Sequence, residues 1–155
     1  MTRINLVPVE DLADQHLMSE WREIKMVPAA LRRSLKTRKS GDILAGVPKR
    51  YTLNKGHVTF FFNKMKFLTD RYKLLTYELV KREYSISAGD DFSIFCNDLP
   101  KEFSQVDWQS DKKEVAVNVE RILLRISDKP DWYKHQGEKL TAEFYKKYEI
   151  LDYTA

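Results

Sequence analysis

The sequence predicts an all-α fold, a single compact domain of three main helices with long irregular connections and an aromatic and basic C-terminal tail. Three observations lead there. Three long segments repeat apolar residues every three or four positions, the signature of helices with one buried face. No segment sustains the two-residue alternation of a half-buried strand, so little or no sheet is expected. The chain has 155 residues, 43% of them hydrophobic, which suits one domain, 1–155, built on one core. Residues 138–155 form a C-terminal extension of it.

The first helical segment is expected from about Val9 to Lys36. Leu17, Trp21, Ile24, Pro28, Leu31 and Leu35 fall on its inner stripe. Glu10 or Asp11 serves its first turn, where the peptide dipoles favour negative charge. Pro28 removes a backbone donor and clashes one turn back, which predicts a kink or a split. Ser40-Gly41, after a basic run, reads as its end. The second segment is expected from about Val58 to Arg82. Phe61, Met65, Leu68, Tyr72, Leu75 and Leu79 recur in alternating steps of four and three, and Phe60, Phe67 and Leu74 widen the stripe. This should be the central, most buried helix. The third runs from about Lys112 to Ser127, with Val115, Val119, Ile122 and Ile126 inside and Pro130 ending it. Asn118, Arg121 and Arg125 line up on its outer side. Most turn formers lie from Gly41 to Gly56 and from Ile86 to Asp111. Beyond Trp132, the residues Leu140, Phe144, Tyr148 and Leu151 suggest a short amphipathic helix.

No apolar run approaches the roughly 20 residues that span a bilayer. The N-terminal stretch lacks the charged start and apolar core of a signal peptide. Cys96 stands alone and cannot form an internal disulfide. A soluble protein of a reducing compartment, the cytoplasm, is expected. The net charge is +4 and its excess is uneven. Arg22, Lys25, Arg32, Arg33, Lys36, Arg38, Lys39, Lys49 and Arg50 are opposed over that stretch only by Glu23 and Asp42. Such clustering suits a polyanion such as nucleic acid, or else a solvated helix face and loop.

Two features carry chemistry. Methionine before a small residue such as Thr2 is normally trimmed, which leaves a free α-amine on Thr2. An α-amine has a pKa of about 7.7–8.0 against about 10.4 for lysine, so far more of it is uncharged at neutral pH and able to attack carbon. On the first helix His16, Glu20 and Glu23 flank the apolar stripe, while Gln15, Ser19, Arg22, Met26 and Arg33 lie on the solvent side. Glu23 is thus a boundary carboxylate able to line a cleft, or an ordinary surface ion-pair partner. His16 and Glu20 are half a metal site, but further ligands are lacking, so neither metal nor cofactor is expected. His57, after Gly56, suits a cap or packing role. Cys96 reads as a small buried hydrophobe. Phosphate loops, nucleophile elbows and zinc-protease helices are missing. In Pro130–Gly137 aromatics interleave with bases. Trp132 and Tyr133 suit stacking on exposed bases or core packing, and Lys134 and His135 can meet phosphate.

Thr2-Arg3-Ile4-Asn5-Leu6, Ala13 to Met18, Arg22-Glu23, Gly56 to Phe61 and Trp132-Tyr133-Lys134 closely resemble the phage-type pyrimidine-dimer DNA glycosylase family, also called endonuclease V. The resemblance runs in order from Thr2 to about Gly137. It implies a compact all-α enzyme that excises ultraviolet-induced cyclobutane pyrimidine dimers from double-stranded DNA and nicks the abasic site left behind. By the same resemblance, the Thr2 amine attacks the anomeric carbon to form an imine, and Glu23 stabilises the cationic sugar and assists elimination. Arg3, Gln15, His16 and Arg22 then contact DNA in the site, while Arg121, Arg125, Trp132, Tyr133 and Lys134 support DNA binding. Members kink the DNA and flip out a nucleotide opposite the lesion.

The chemistry of the residues fits. A fixed carboxylate stabilises the positive charge that builds on the sugar. Arg3 and Arg22 lower the amine's pKa by like-charge repulsion. One departure concerns position 26, where the best-known members carry arginine and this chain has Met26; Lys25, a step earlier, is a DNA-binding candidate but points about 100° away on an ideal helix, so it does not stand in for that contact. Residues from about Leu140 to Ala155 extend past the usual end. The expected partner is lesion-bearing DNA, with no membrane and a monomeric protein. The competing readings are a silent basic DNA-binding module and a relative acting on abasic sites or other damaged bases.

Overall fold

The computed structural model describes residues 4–86, 89 and 91–148. The architecture is all-α, with a two-stranded hairpin as its small sheet.

Where one first helix was expected there are two, α1 (Asp14–Glu23) and α2 (Met26–Leu35). Pro28 has no N–H for the Ile24 carbonyl. Val27 N takes that carbonyl instead, at 3.2 Å, in the tighter i to i+3 pattern, and the helix breaks there. Val9–Asp11 is a separate 3-10 turn, and Leu12 and Ala13 are extended. The first turn of α1 therefore draws its acid from Asp14, not from Glu10 or Asp11. Ser40 does not close the segment but opens α3 (Ser40–Ala45).

The second expected helix is also divided, into α4 (His57–Phe60) and α5 (Met65–Lys81). Phe60, Phe61 and Phe62 are all buried. Three consecutive residues of a helix fan across about 200° and cannot share one face, so the chain turns to bury all of them. Lys64 Nζ donates to the Phe60 carbonyl at 2.9 Å across the break. Leu74, placed on the inner stripe by its spacing, points outward and is 53% exposed. Gly56, at φ 89°, enters α4 in the left-handed region, and a Cβ there would meet Pro48 and Thr52 at 3.3 Å, so glycine is required.

A one-turn helix, α6 (Ser93–Cys96), precedes α7 (Lys112–Asp128), which matches expectation closely. A capping box starts α7: Asp111 accepts from Glu114 N, and the Glu114 side chain accepts from Asp111 N. Strands β1 (Lys134–His135) and β2 (Glu138–Lys139) pair antiparallel, Lys134 opposite Lys139. Gln136 and Gly137 both have positive φ, as a tight two-residue hairpin turn demands. The expected C-terminal helix begins as a 3-10 turn, Ala142–Tyr145. Leu140, Tyr145 and Tyr148 are buried, and Leu151 lies outside the described residues.

Buried side chains of the N-terminal stretch, α1, α2, α5, α7 and the 140–148 segment join in one hydrophobic cluster. The stretch Ile4–Val7 crosses it without a strand partner, and side chains bond its backbone instead. Ile4 N donates to His57 Nε2 at 2.8 Å and Asn5 N to Glu20 Oε1 at 3.2 Å. Leu6 N and Val7 N both donate to Asn118 Oδ1, at 2.7 and 3.1 Å. The Ile4 carbonyl accepts from the Tyr51 hydroxyl and the Val7 carbonyl from Arg71, each at 2.8 Å.

Candidate active site

A cleft of about 290 Å³ opens between α1 and α7, beside Asn5. Helix α1 lends it His16, Glu20 and Glu23, spaced four and three along one face. Helix α7 answers with Asn118, Arg121 and Arg125, spaced three and four. Two amphipathic helices set face to face thus gather residues about a hundred positions apart.

The floor is a buried polar chain. Arg71 grips the Glu20 carboxylate twice, Nε to Oε2 at 2.7 Å and the second nitrogen to Oε1 at 3.1 Å. Asn5 Nδ2 donates to the same Oε1 at 2.9 Å, and Asn118 Nδ2 donates to Asn5 Oδ1 at 2.8 Å. Every member is bonded, as burial of such groups requires. Asn118, expected on the outer side of its helix, is therefore buried. That side of α7 faces the N-terminal stretch, whose amides need an acceptor.

The walls carry the charge. Glu23 and Arg121 are half-buried and Arg125 is exposed. Arg121 donates to Asn54 Oδ1 at 3.0 Å, and Asn54 stands in the left-handed region at φ 64°. His16 packs on Tyr133 with ring centres 4.5 Å apart, and its buried Nδ1 has no hydrogen-bond partner among the described residues. Burial pushes the His16 pKa down to about 4, and the Arg125 charge acts in the same direction. The ring is neutral at physiological pH. Burial likewise raises the Tyr133 phenol above its ordinary range.

Other expected site residues stand apart from this lining. Arg22 and Lys25 are exposed on the solvent side of α1 and at its end. The Gln15 amide is occupied by backbone, donating to the Trp132 carbonyl at 2.9 Å and accepting from Lys134 N at 3.1 Å. Trp132 is 57% exposed, whereas Tyr133 is buried and, unlike its neighbours, lines the cleft. Lys134 is half-buried. Thr2 and Arg3 lie outside the described residues. His57 is structural, since Nδ1 pairs with the Thr52 carbonyl at 2.9 Å while Nε2 holds Ile4.

No group of three His, Cys, Asp or Glu side chains suited to a metal occurs among the described residues. Cys96 is half-buried, and burial raises its thiol pKa, which makes it a poor nucleophile. Lys64 has its pKa pushed down to about 8 by burial, but its ammonium sits 3.8 Å over the Phe60 ring, away from the cleft. The described lining holds neither lysine nor cysteine.

Arg71, Asn54 and the roles of Asn5 and Asn118 were not anticipated. Two signals were available. Arg71 falls three residues after Leu68 and four before Leu75, on the inner stripe, and Asn5 interrupts the apolar run Ile4–Val7. A polar group at a core position announces a buried partner.

A model of the pyrimidine dimer DNA glycosylase family matches residues 1–91. The chain belongs to this family. Pyrimidine-dimer DNA glycosylases act on DNA, and the positively charged rim fits such a substrate. The match takes in α1 and with it Glu23, His16 and the Glu20–Arg71 floor of this glycosylase. The facing wall, Arg121 and Arg125 of α7, and the Trp132–Lys134 segment follow the matched region. Among the described residues, no helix of the glycosylase is long and apolar enough to cross a membrane.

Proposed function

We propose that the protein excises cyclobutane pyrimidine dimers and then nicks the abasic site, with the α-amine of Thr2 as nucleophile and Glu23 as its acid–base partner. One observation carries the reading. Glu23 shares a cleft with Arg121 and Arg125, no side-chain amine lines its described walls, and Asn5, next to the pinned backbone of Ile4, lines it as well. Thr2 is two residues from Ile4, a reach of at most about 7 Å.

The Thr2 nitrogen lone pair forms a bond to C1′ as the C1′–base bond breaks, and the electron pair leaves on the base, which takes up a proton. The C1′–O4′ bond then opens, giving a protonated imine and a 4′-hydroxyl. A carboxylate at Glu23 stabilises the cationic sugar and removes a C2′ proton. Those electrons expel the 3′ phosphate, and water releases the amine. The sequence of steps requires removal of Met1. Arg3, Gln15, His16, Arg22, Lys25, Arg121, Arg125, Trp132, Tyr133 and Lys134 serve DNA binding in this reading, by contact or by holding a segment that makes contact, and the chain acts as one monomeric domain.

Borohydride added during reaction with thymine-dimer duplex tests the chemistry. A trapped adduct on the N-terminal residue is expected, and cleavage without it, or an adduct on Lys64, rejects the amine. Glu23→Gln should abolish base release yet keep DNA affinity. Normal cleavage by that variant removes Glu23 from its role. Abasic and oxidised-purine duplexes, run in parallel, separate dimer preference from general abasic-site lysis.

A further inference from the structure

We propose that Gln15 is a positioning residue, which presets Trp132, Tyr133 and Lys134 as one wall beside the cleft, with Tyr133 lining it, instead of contacting DNA itself. The inference rests on those three residues facing DNA. Its basis is the way consecutive residues at the start of α1 fasten the segment. Asp14 accepts from Gln136 N and Gly137 N, both at 3.0 Å. Gln15 holds the backbone just before them, bonded to the Trp132 carbonyl and to Lys134 N. His16 packs under the Tyr133 ring.

The far end of the segment is tied as well. Leu140 N donates to the Tyr133 carbonyl at 3.0 Å and the Tyr145 hydroxyl to the Asp11 carbonyl at 2.6 Å. Lys147 pairs with the Asp11 carboxylate at 2.8 Å, and Tyr148 bonds the same group.

A primary amide suits this position because it donates at one end and accepts at the other. Both functions are used by backbone groups two residues apart, which locks the intervening Tyr133 inward and leaves Trp132 outward, 57% exposed. A wall ordered before binding spares the cost of ordering it on the DNA.

Three measurements decide the matter. In the free protein, Gln15→Ala should speed amide exchange at Lys134, and Gln15→Glu, which keeps the acceptor, should preserve that protection. With dimer duplex, Gln15→Ala should raise KM about three- to tenfold, the loss of one or two hydrogen bonds, and change saturating single-turnover base release by less than about twofold. In a Trp132→Ala/Lys134→Ala background the KM effect should shrink below about twofold, since a residue acting through others loses its influence when they are gone. Unchanged exchange at Lys134 would show that Gln15 does not hold the segment, and a full KM effect in that background that Gln15 meets DNA directly; either result overturns the proposal. The exchange arm uses no DNA, so it decides placement even where dimer cleavage fails, and that failure counts against the proposed function alone.

Discussion

Glu20 and Glu23 lie one turn apart on the same face of α1 and have opposite fates. Glu20 is sealed beneath the cleft with Arg71, its side chain fully buried, and Glu23 lines the cleft wall. Breaking a sealed pair strands a charge, so Arg71→Met should lower unfolding stability by about 3–5 kcal/mol in urea titration. A loss under about 1 kcal/mol would mean the floor is hydrated. Spacing alone put both glutamates beside the stripe. It did not separate them, because the separation comes from Arg71 on another helix. His16 offers a pH test. Its folded pKa of about 4 lies below the usual 6.5, so the unfolded chain takes the proton first. Stability is whole above pH 6.5 and falls as pH drops towards 4. Between pH 7 and 4.5 the wild type should lose roughly 1–3 kcal/mol more than His16→Phe, read from urea midpoints. Equal losses would place the ring in water. Asn54 separates backbone from side chain. Asn54→Ala should cost about 1–2 kcal/mol of stability for its left-handed backbone, whereas Asn54→Gly should keep stability and weaken DNA binding through Arg121. Equal melting points for the two variants would deny the strain.

Elements were legible where one rule governed them. Helix α7 carries a capping box, an unbroken inner stripe and a proline stop, and its limits could be read within a residue or two. The other two long segments carried conflicting instructions. Pro28 removes a donor inside the first, and Phe60–Phe62 ask three adjacent rings to face inward in the second, so each broke in two. The hairpin was invisible because two-residue strands are too short to show alternation, and Gln136-Gly137 lacks the Asn-Gly signature of such turns. Leu140–Tyr148 was legible as amphipathic but not as a fastening. Tyr145 is the residue to probe there, wholly buried with its hydroxyl bonded to Asp11. Tyr145→Ala should cost about 3–5 kcal/mol by calorimetry, as large-to-small core changes do. Tyr145→Phe should cost only about 0.5–1.5 kcal/mol. A variant Tyr145→Ala as stable as wild type would detach this segment from the core.

At the scale of the molecule, the two arginines that line the cleft, Arg121 and Arg125, both come from α7. The logarithm of DNA affinity should fall linearly with the logarithm of salt, at about 0.9 per phosphate neutralised. Arg125→Ala should reduce that slope by about one. An unaltered slope would put Arg125 off the DNA path. The basic excess in the sequence foretold a polyanion, but most of it, from Arg32 to Arg50, precedes α4. The residues that meet at the cleft could be assembled only through packing, by α1 against α5 and by α7 across the N-terminal stretch.

The make-up of the walls has an enzymological corollary. The His16 imidazole has already given up its proton near 4, and the Tyr133 phenol holds its own past the usual range. From about pH 5 to 9 these two rings keep a constant charge. Under the proposed chemistry an inflection in the rate–pH curve near 8 that persists in Lys64→Met would follow the Thr2 amine through turnover, without a spectroscopic label.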